Sequence, residues 1–435
     1  MRNFTFNFGI FLGIIFLTSY NSFAQRNEWL NQVITVNSGK FESTPPYTDY
    51  VTVQTYNPGS QQSVTFDVIK TQSAQDLVIK GNYAYVAAQD SIIMYNINNY
   101  QRVFAIADSG INKMFVYNNR LIISKQWPIK RFFVEVLDVS NLSLIARIQN
   151  ISGDCAGITS DGDSIYVAIP GIVGTTEGKL AVISANTWSL KREINLGPDA
   201  TGIWNLYNFN GHIFSINRTP IGGNPIGSIS QYTLYNYTFH NKTFGVNFGD
   251  GIGIKGNFLY LNMNYGIGSL NLLTLQIADT TIIPDPGFND RIFITSAGIE
   301  YVNGDIYLNK GNRISYGNCI QYSLAGDSIT SYPTGINADA LAFDYRTPVG
   351  IGDGSGTFEL NIFPNPVNNE LYVNLPDGIR ILQSQITDIT GRTCSMESDF
   401  KNNKLTVQSG KLKPGIYFLT LKTSGGTATQ KFIKR

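Results

Sequence analysis

The chain has 435 residues, 32 Lys/Arg against 31 Asp/Glu and a net charge of +1. Only 14% of residues are charged and 43% are hydrophobic, which excludes a mainly disordered chain and a nucleic-acid binder relying on a clustered positive field. Two His and three scattered Cys stand at no ligand or framework spacing, so neither a metal site nor a disulfide scaffold is expected, and no cofactor motif occurs.

Residues 1–24 read as a secretory signal. Arg2 is followed by an apolar run over 8–17, too short to span a bilayer, and Ser22-Phe23-Ala24 is a small-x-small cleavage site leaving Gln25 first. No later segment has transmembrane length, so the mature chain is expected to be exported without a membrane span. Strands follow at 32–36, 49–56 and 63–69, apolar-alternating and separated by polar, Gly- and Pro-containing turns.

From residue 76 a unit recurs: an apolar strand, a Gly/Asn/Asp turn, then a strand with an aromatic or branched centre. Its centres are Tyr85, Ile122, Tyr166, Phe214, Tyr260 and Tyr307, separated by 37, 44, 48, 46 and 47 residues. A period of about 40–50 with four short strands per unit predicts propeller blades. Residues 339–344 form a lone innermost strand, and the three N-terminal strands complete its sheet. The expected fold class is therefore all-β: a seven-bladed β-propeller over 25–346, a Gly-rich linker at 347–357, and a small Ig-like β-sandwich over 358–435.

Propeller geometry gathers the starts of the innermost strands at one channel mouth, expected at Asp76, Lys113, Gly157, Asn205, Gly251, Gly298 and Asp339. Long loops on that face bring Trp127, Arg218 and Arg313, and Trp204 precedes Asn205. The candidate ligand-binding residues are thus Asp76, Lys113, Asn205, Asp339, Trp127, Trp204 and Arg218. The plainer role for Asp76 and Asp339 is to accept hydrogen bonds between blades, with Lys113 as counter-charge. His212 and His240 lie away from any candidate nucleophile, so no catalytic residue is assigned.

The stretches Ala84-Tyr85-Val86-Ala87 and Ile165-Tyr166-Val167-Ala168 resemble YVTN-type propellers of secreted bacterial proteins. Three C-terminal segments resemble the type A sorting domain of the Bacteroidetes type IX (Por) secretion system: 361–366 with Pro364, Asn365 and Pro366; 386–392 with Asp388, Gly391 and Arg392; and 412–418 with Gly415 and Tyr417. A basic end containing Lys434 follows. That resemblance implies passage through the periplasm, recognition of residues 358–435 by the type IX machinery, delivery to the medium or the outer-membrane surface, and attachment to surface lipopolysaccharide after processing. The body's excess of acidic residues against the +4 of residues 357–435 agrees with a separate module. The expected function is a non-catalytic binding module with an unknown ligand or protein on the top face; the alternative is a secreted propeller enzyme, a lactonase-like or glycan-active hydrolase.

Overall fold

The computed structural model describes residues 28–171, 176–218, 226–347, 360–375, 381–394, 397–401, 404–423 and 426–435. The expected signal at 1–24 and most of the expected linker lie outside them. The chain divides into two compact units at Arg346 and Thr347.

In the first unit the described residues build seven four-stranded antiparallel sheets. Innermost strands Ala74–Lys80, Ile111–Tyr117, Ile158–Asp161, Ile203–Phe209, Phe248–Lys255 and Phe293–Ile299 open blades 1 to 6, each followed by its three partners in chain order. Blade 7 joins distant parts of the chain: Ala338–Arg346 pairs with Trp29–Asn37, which continues into Val51–Asn57 and Gln62–Ile69.

Period-two alternation explains why these sheets stack radially. On the second strand of blade 1, Ala84 and Val86 pack towards blade 7, while Tyr85 and Ala87 pack towards blade 2. Every blade does the same, giving one apolar cluster per blade interface all the way round. The core is a ring of two-sided sheets, each side sealed by its neighbour. The six repeat centres, Tyr85 to Tyr307, lie in the second strands and are at most 7% exposed. Tight turns reverse the chain between first and second strands; Gly162 in the Asp161-Gly162-Asp163 turn sits at φ +48, a conformation glycine adopts without strain.

The second unit holds two four-stranded sheets. One orders Asn361–Phe363, Glu370–Asn374, Lys404–Gln408 and Glu397–Lys401; the other orders Thr393–Cys394, Ile381–Asp388, Gly415–Thr423 and Gly426–Lys434. Leu371, Val373, Leu405 and Val407 from the first share a core with Ile386, Leu419, Leu421 and Phe432 from the second, as in a β-sandwich. Among the described residues no helix is long and apolar enough to cross a membrane.

Candidate functional site at the channel mouth

The innermost strands begin irregularly. Pairing to the second strand slips between Ala74 and Asp76, Ile111 and Lys113, Ile203 and Asn205, and Ile294 and Ser296. Each slip is a β-bulge, which leaves one residue unpaired and re-aims the side chains around it. Three of the four re-aimed groups bind the next blade, while Lys113 reaches back to Asp76. Asp76 Oδ2 accepts the Met114 N–H at 2.6 Å, Asn205 Oδ1 accepts the Gly251 N–H at 2.9 Å, and Ser296 Oγ donates to the Ala338 carbonyl at 2.7 Å. Blade 3 has Gly157 at this place; its N–H donates to the Trp204 carbonyl at 2.9 Å, and a Cβ there would lie 2.2 Å from that oxygen.

These strand starts enclose a polar cavity of about 140 Å³. It is lined by Asp76, Lys113, Asn205, Asp250, Ser296 and Asp339, with Asn262 from a second strand and short stretches of the innermost strands of blades 5, 6 and 7. Six of the seven innermost strands therefore contribute. Asp76, Lys113, Asn205 and Asp339 converge here. Arg218 stands at the edge, its Nε donating to Asp250 at 2.6 Å and its guanidinium 3.8 Å above the Trp204 ring. Trp127 is 79% exposed and does not line the cavity.

The structure moves two expected strand starts. In blade 6 the bulge position is Ser296, while Gly298 lies deeper and faces Leu341 and Phe343 of blade 7. In blade 5 the glycines around Gly251 permit an irregular start, and the charge comes from Asp250, one residue earlier. Asn262 was also absent from the candidates. Two residues beyond the repeat centre Tyr260, it occupies the place that Ala87 has in blade 1, so its polarity there is the signal that could have marked it.

Charge at the mouth is largely self-compensated. Lys113 Nζ lies 3.8 Å from Asp76, and Arg218 pairs with Asp250. Burial pushes the Asp76 carboxyl up against the pull of Lys113. Burial acts upward on Asp250 too, but Arg218 and Lys113 outweigh it and hold that carboxyl below its usual range. Asp339 is pushed up to about 6, chiefly by burial, with the Ser38 hydrogen bond and the charges of Arg313 and Lys113 acting the other way. Its Oδ2 accepts from Ser38 Oγ and from Asn337 Nδ2, the latter at 2.7 Å, and Ser38 Oγ in turn accepts the Ala74 N–H at 2.8 Å. Asp76 and Asp339 thus also tie neighbouring blades together. Among the described residues no cluster of three His, Cys, Asp or Glu could hold a metal ion.

A pH dependence follows. The folded Asp339 carboxyl titrates near 6 and an unfolded one near 3.9, so the folded state takes up this proton first. The associated stabilisation is complete below about pH 3.9 and disappears as pH rises through about 6. Asp339→Asn keeps an acceptor for Ser38 and Asn337 and should exceed the parent in stability by roughly 2–3 kcal/mol at pH 7.5 and by about 0.5 kcal/mol or less at pH 4. Urea unfolding across that range measures it; a difference that does not change with pH would refute the assignment.

The sorting motifs meet at one end of one sandwich sheet. Asp388 pairs across from Tyr417, and Gly415 from Lys434. Asp388 Oδ1 accepts from the Thr390 hydroxyl at 2.6 Å and from the N–H groups of Thr390 and Arg392, while Gly391 takes φ +82 to close the turn. Asn365 Oδ1 accepts the Ile433 N–H at 2.9 Å, and Tyr417 donates to the Lys413 carbonyl at 2.9 Å.

Residues 361–435 match the family described as the secretion system C-terminal sorting domain. The chain is therefore a cargo of the type IX system, directed to the cell surface or beyond, and the sorting domain is its contact with that machinery. Residues 72–94 match the LVIVD repeat, covering the first two strands of blade 1 and part of the third. No curated protein matches the sequence. Among solved structures, a candidate 6-phosphogluconolactonase from Bacteroides fragilis is 12% identical, with a TM-score of 0.52 over 72% of this chain and 98% of that one. A functionally unknown protein from Desulfotomaculum acetoxidans is 13% identical, with the same TM-score and coverage. At such identity these likenesses establish the propeller fold alone.

Proposed function

We propose that the propeller is a non-catalytic binding module which the sorting domain carries to the cell surface, and that the channel mouth receives its ligand. Removal of the sorting domain and attachment to surface lipopolysaccharide complete this reading. The observation that carries it is the cavity itself: six blades each place groups at one opening, where a rigid ring holds them in fixed geometry. A panel of sugars, amino acids, nucleotides and lactones, screened by thermal shift on the purified mature chain, tests it. A hit should bind at least about tenfold more weakly to Asp250→Asn, which keeps an acceptor for Arg218 but removes the charge. Hits indifferent to Asp250→Asn would place binding elsewhere.

One observation favours a hydrolase as the second reading. Asp339 is raised to about 6 while Asp250 is held low, so two carboxyls in one cavity are driven towards opposite protonation states, as an acid and a base require. Turnover of a lactone or glycoside that Asp339→Asn abolishes would establish this second reading in place of the first.

A further inference from the structure

Resting on the binding role of the channel mouth, we infer that its ligand is an uncharged saccharide whose terminal ring enters the cavity while the next ring lies on an aromatic ledge formed by Tyr265, Phe288 and Phe293. Tyr265 stacks on Phe288 with ring centroids 3.9 Å apart and planes 16° apart. Phe288 meets Phe293 edge-on at 5.5 Å, and the Arg313 guanidinium sits 4.9 Å from the Phe293 ring. Tyr265 is 46% and Phe288 37% exposed, so the stacked pair keeps aromatic surface open to solvent although each ring covers one face of the other. It adjoins the cavity through the chain: Phe293 directly precedes Ile294, and Tyr265 follows Asn262 by three residues, both Ile294 and Asn262 being cavity-lining. Tyr265 follows Asn264 in a two-residue hairpin loop, φ +70 and +45, the turn geometry that matches strand twist and fixes where the ring projects.

The cavity selects the ligand class. At about 140 Å³ it is smaller than the roughly 300–1,000 Å³ of pockets for whole drug-sized ligands, so it admits one end of a molecule. Its lining is polar, which disfavours an apolar guest, because buried polar groups left without partners cost free energy. Asp76 is beside Lys113 and Asp250 is paired with Arg218, while Asp339 is held by the neutral groups of Ser38 and Asn337, so an anionic guest would meet a carboxyl that pairs with no cation among the described residues and a neutral guest needs no counter-charge. Asn262 Oδ1 is buried and has no hydrogen-bond partner among the described residues. It calls for a donor, which a hydroxyl supplies. Neutral, hydroxyl-rich at the rim and apolar on its C–H face, a sugar ring meets both the cavity and the ledge.

The test is an array of neutral oligosaccharides, with affinities measured by calorimetry on the purified mature chain. Tyr265→Asn, a residue suited to positive φ, and Phe288→Ala should each weaken saccharide binding at least about tenfold, and Tyr265→Phe should stay within about twofold of the parent. Asn262→Ala should weaken binding of the same saccharide, and unchanged thermal unfolding of each variant verifies the fold. Saccharide binding indifferent to Tyr265→Asn and Phe288→Ala overturns the inference. So does an empty array; if Asp250→Asn still abolishes binding of some non-saccharide ligand, the channel-mouth reading survives and only the saccharide class falls.

Discussion

Replacing Lys125 with methionine should remove roughly 3–5 kcal/mol from the stability of the propeller at neutral pH, the usual cost of leaving buried charges without their partner. Lys125 is 5% exposed at its side chain, and its ammonium lies between Asp108 and Glu135, which are 9% and 10% exposed. Glu135 is 3.0 Å away and keeps Arg147 as a second partner at 2.9 Å, whereas Asp108 pairs with no other cation among the described residues. Burial already raises the Asp108 carboxyl against the pull of Lys125. Without Lys125 it should rise further, and a carboxyl raised in the folded state stabilises only while protonated. The deficit should therefore narrow as pH falls through that carboxyl's folded range and be widest above it. Guanidinium unfolding of the parent, Lys125→Met and the triple variant Lys125→Met/Asp108→Asn/Glu135→Gln measures this. The triple variant should recover most of the loss, since no buried charge is left unpaired and Arg147, which loses Glu135, is 51% exposed and stays solvated. A single-variant deficit under about 1 kcal/mol would mean that water reaches the cluster and solvates both carboxylates.

The fold was legible because its signal is periodic and apolar. Tyr85, Tyr166 and Tyr307 mark strand centres that must be buried on both faces, and no helical spacing imitates that alternation. The strand Glu397–Lys401 was not legible: its Glu-Ser-Asp-Phe-Lys sequence is exposed throughout at a sheet edge, so no apolar alternation announces it. The site was legible in part for a related reason. Asp76, Lys113 and Asn205 follow their bulges at a constant offset from the repeat centres, so aligning the centres aligns them. Asp250 and Ser296 escaped because the constant offset falls on glycines in blades 5 and 6, Gly251 and Gly298; the register slips earlier in those strands place the cavity-lining residue one position before the glycine in blade 5 and two before it in blade 6. Tyr265, Phe288 and Phe293 come from a turn, a blade connection and a strand end. They become one surface only when two blades stand side by side.

Asp344→Ala should open the ring at its seam. This carboxylate, 1% exposed, belongs to the last propeller strand and accepts from Asn31 Nδ2 and Gln32 Nε2 of the first, each at 2.9 Å, and from Arg346 Nε. Gln32 carries the network onward: its Oε1 accepts from Thr55 at 2.5 Å and Tyr100 at 3.0 Å, and its Nε2 also reaches the Ile97 carbonyl at 3.1 Å. One buried group thus fastens the final strand to the first and, through Gln32, to blade 1. The residues it joins are 313 positions apart. Holding such distant segments together costs on the order of 5 kcal/mol of chain entropy, from (3/2)RT ln n. Breaking the network should cost roughly 3–5 kcal/mol, enough to offset much of what keeps the seam shut. The loss should be local before it is global. Amide exchange should accelerate first in Trp29–Asn37 and Ala338–Arg346, while Leu121, Val167 and Leu261, in second strands remote from the seam, keep their protection. Uniform acceleration throughout the propeller would show instead that closure is spread over the whole blade 7 interface, with apolar packing of Val33, Ile34 and Val36 as the true fastening.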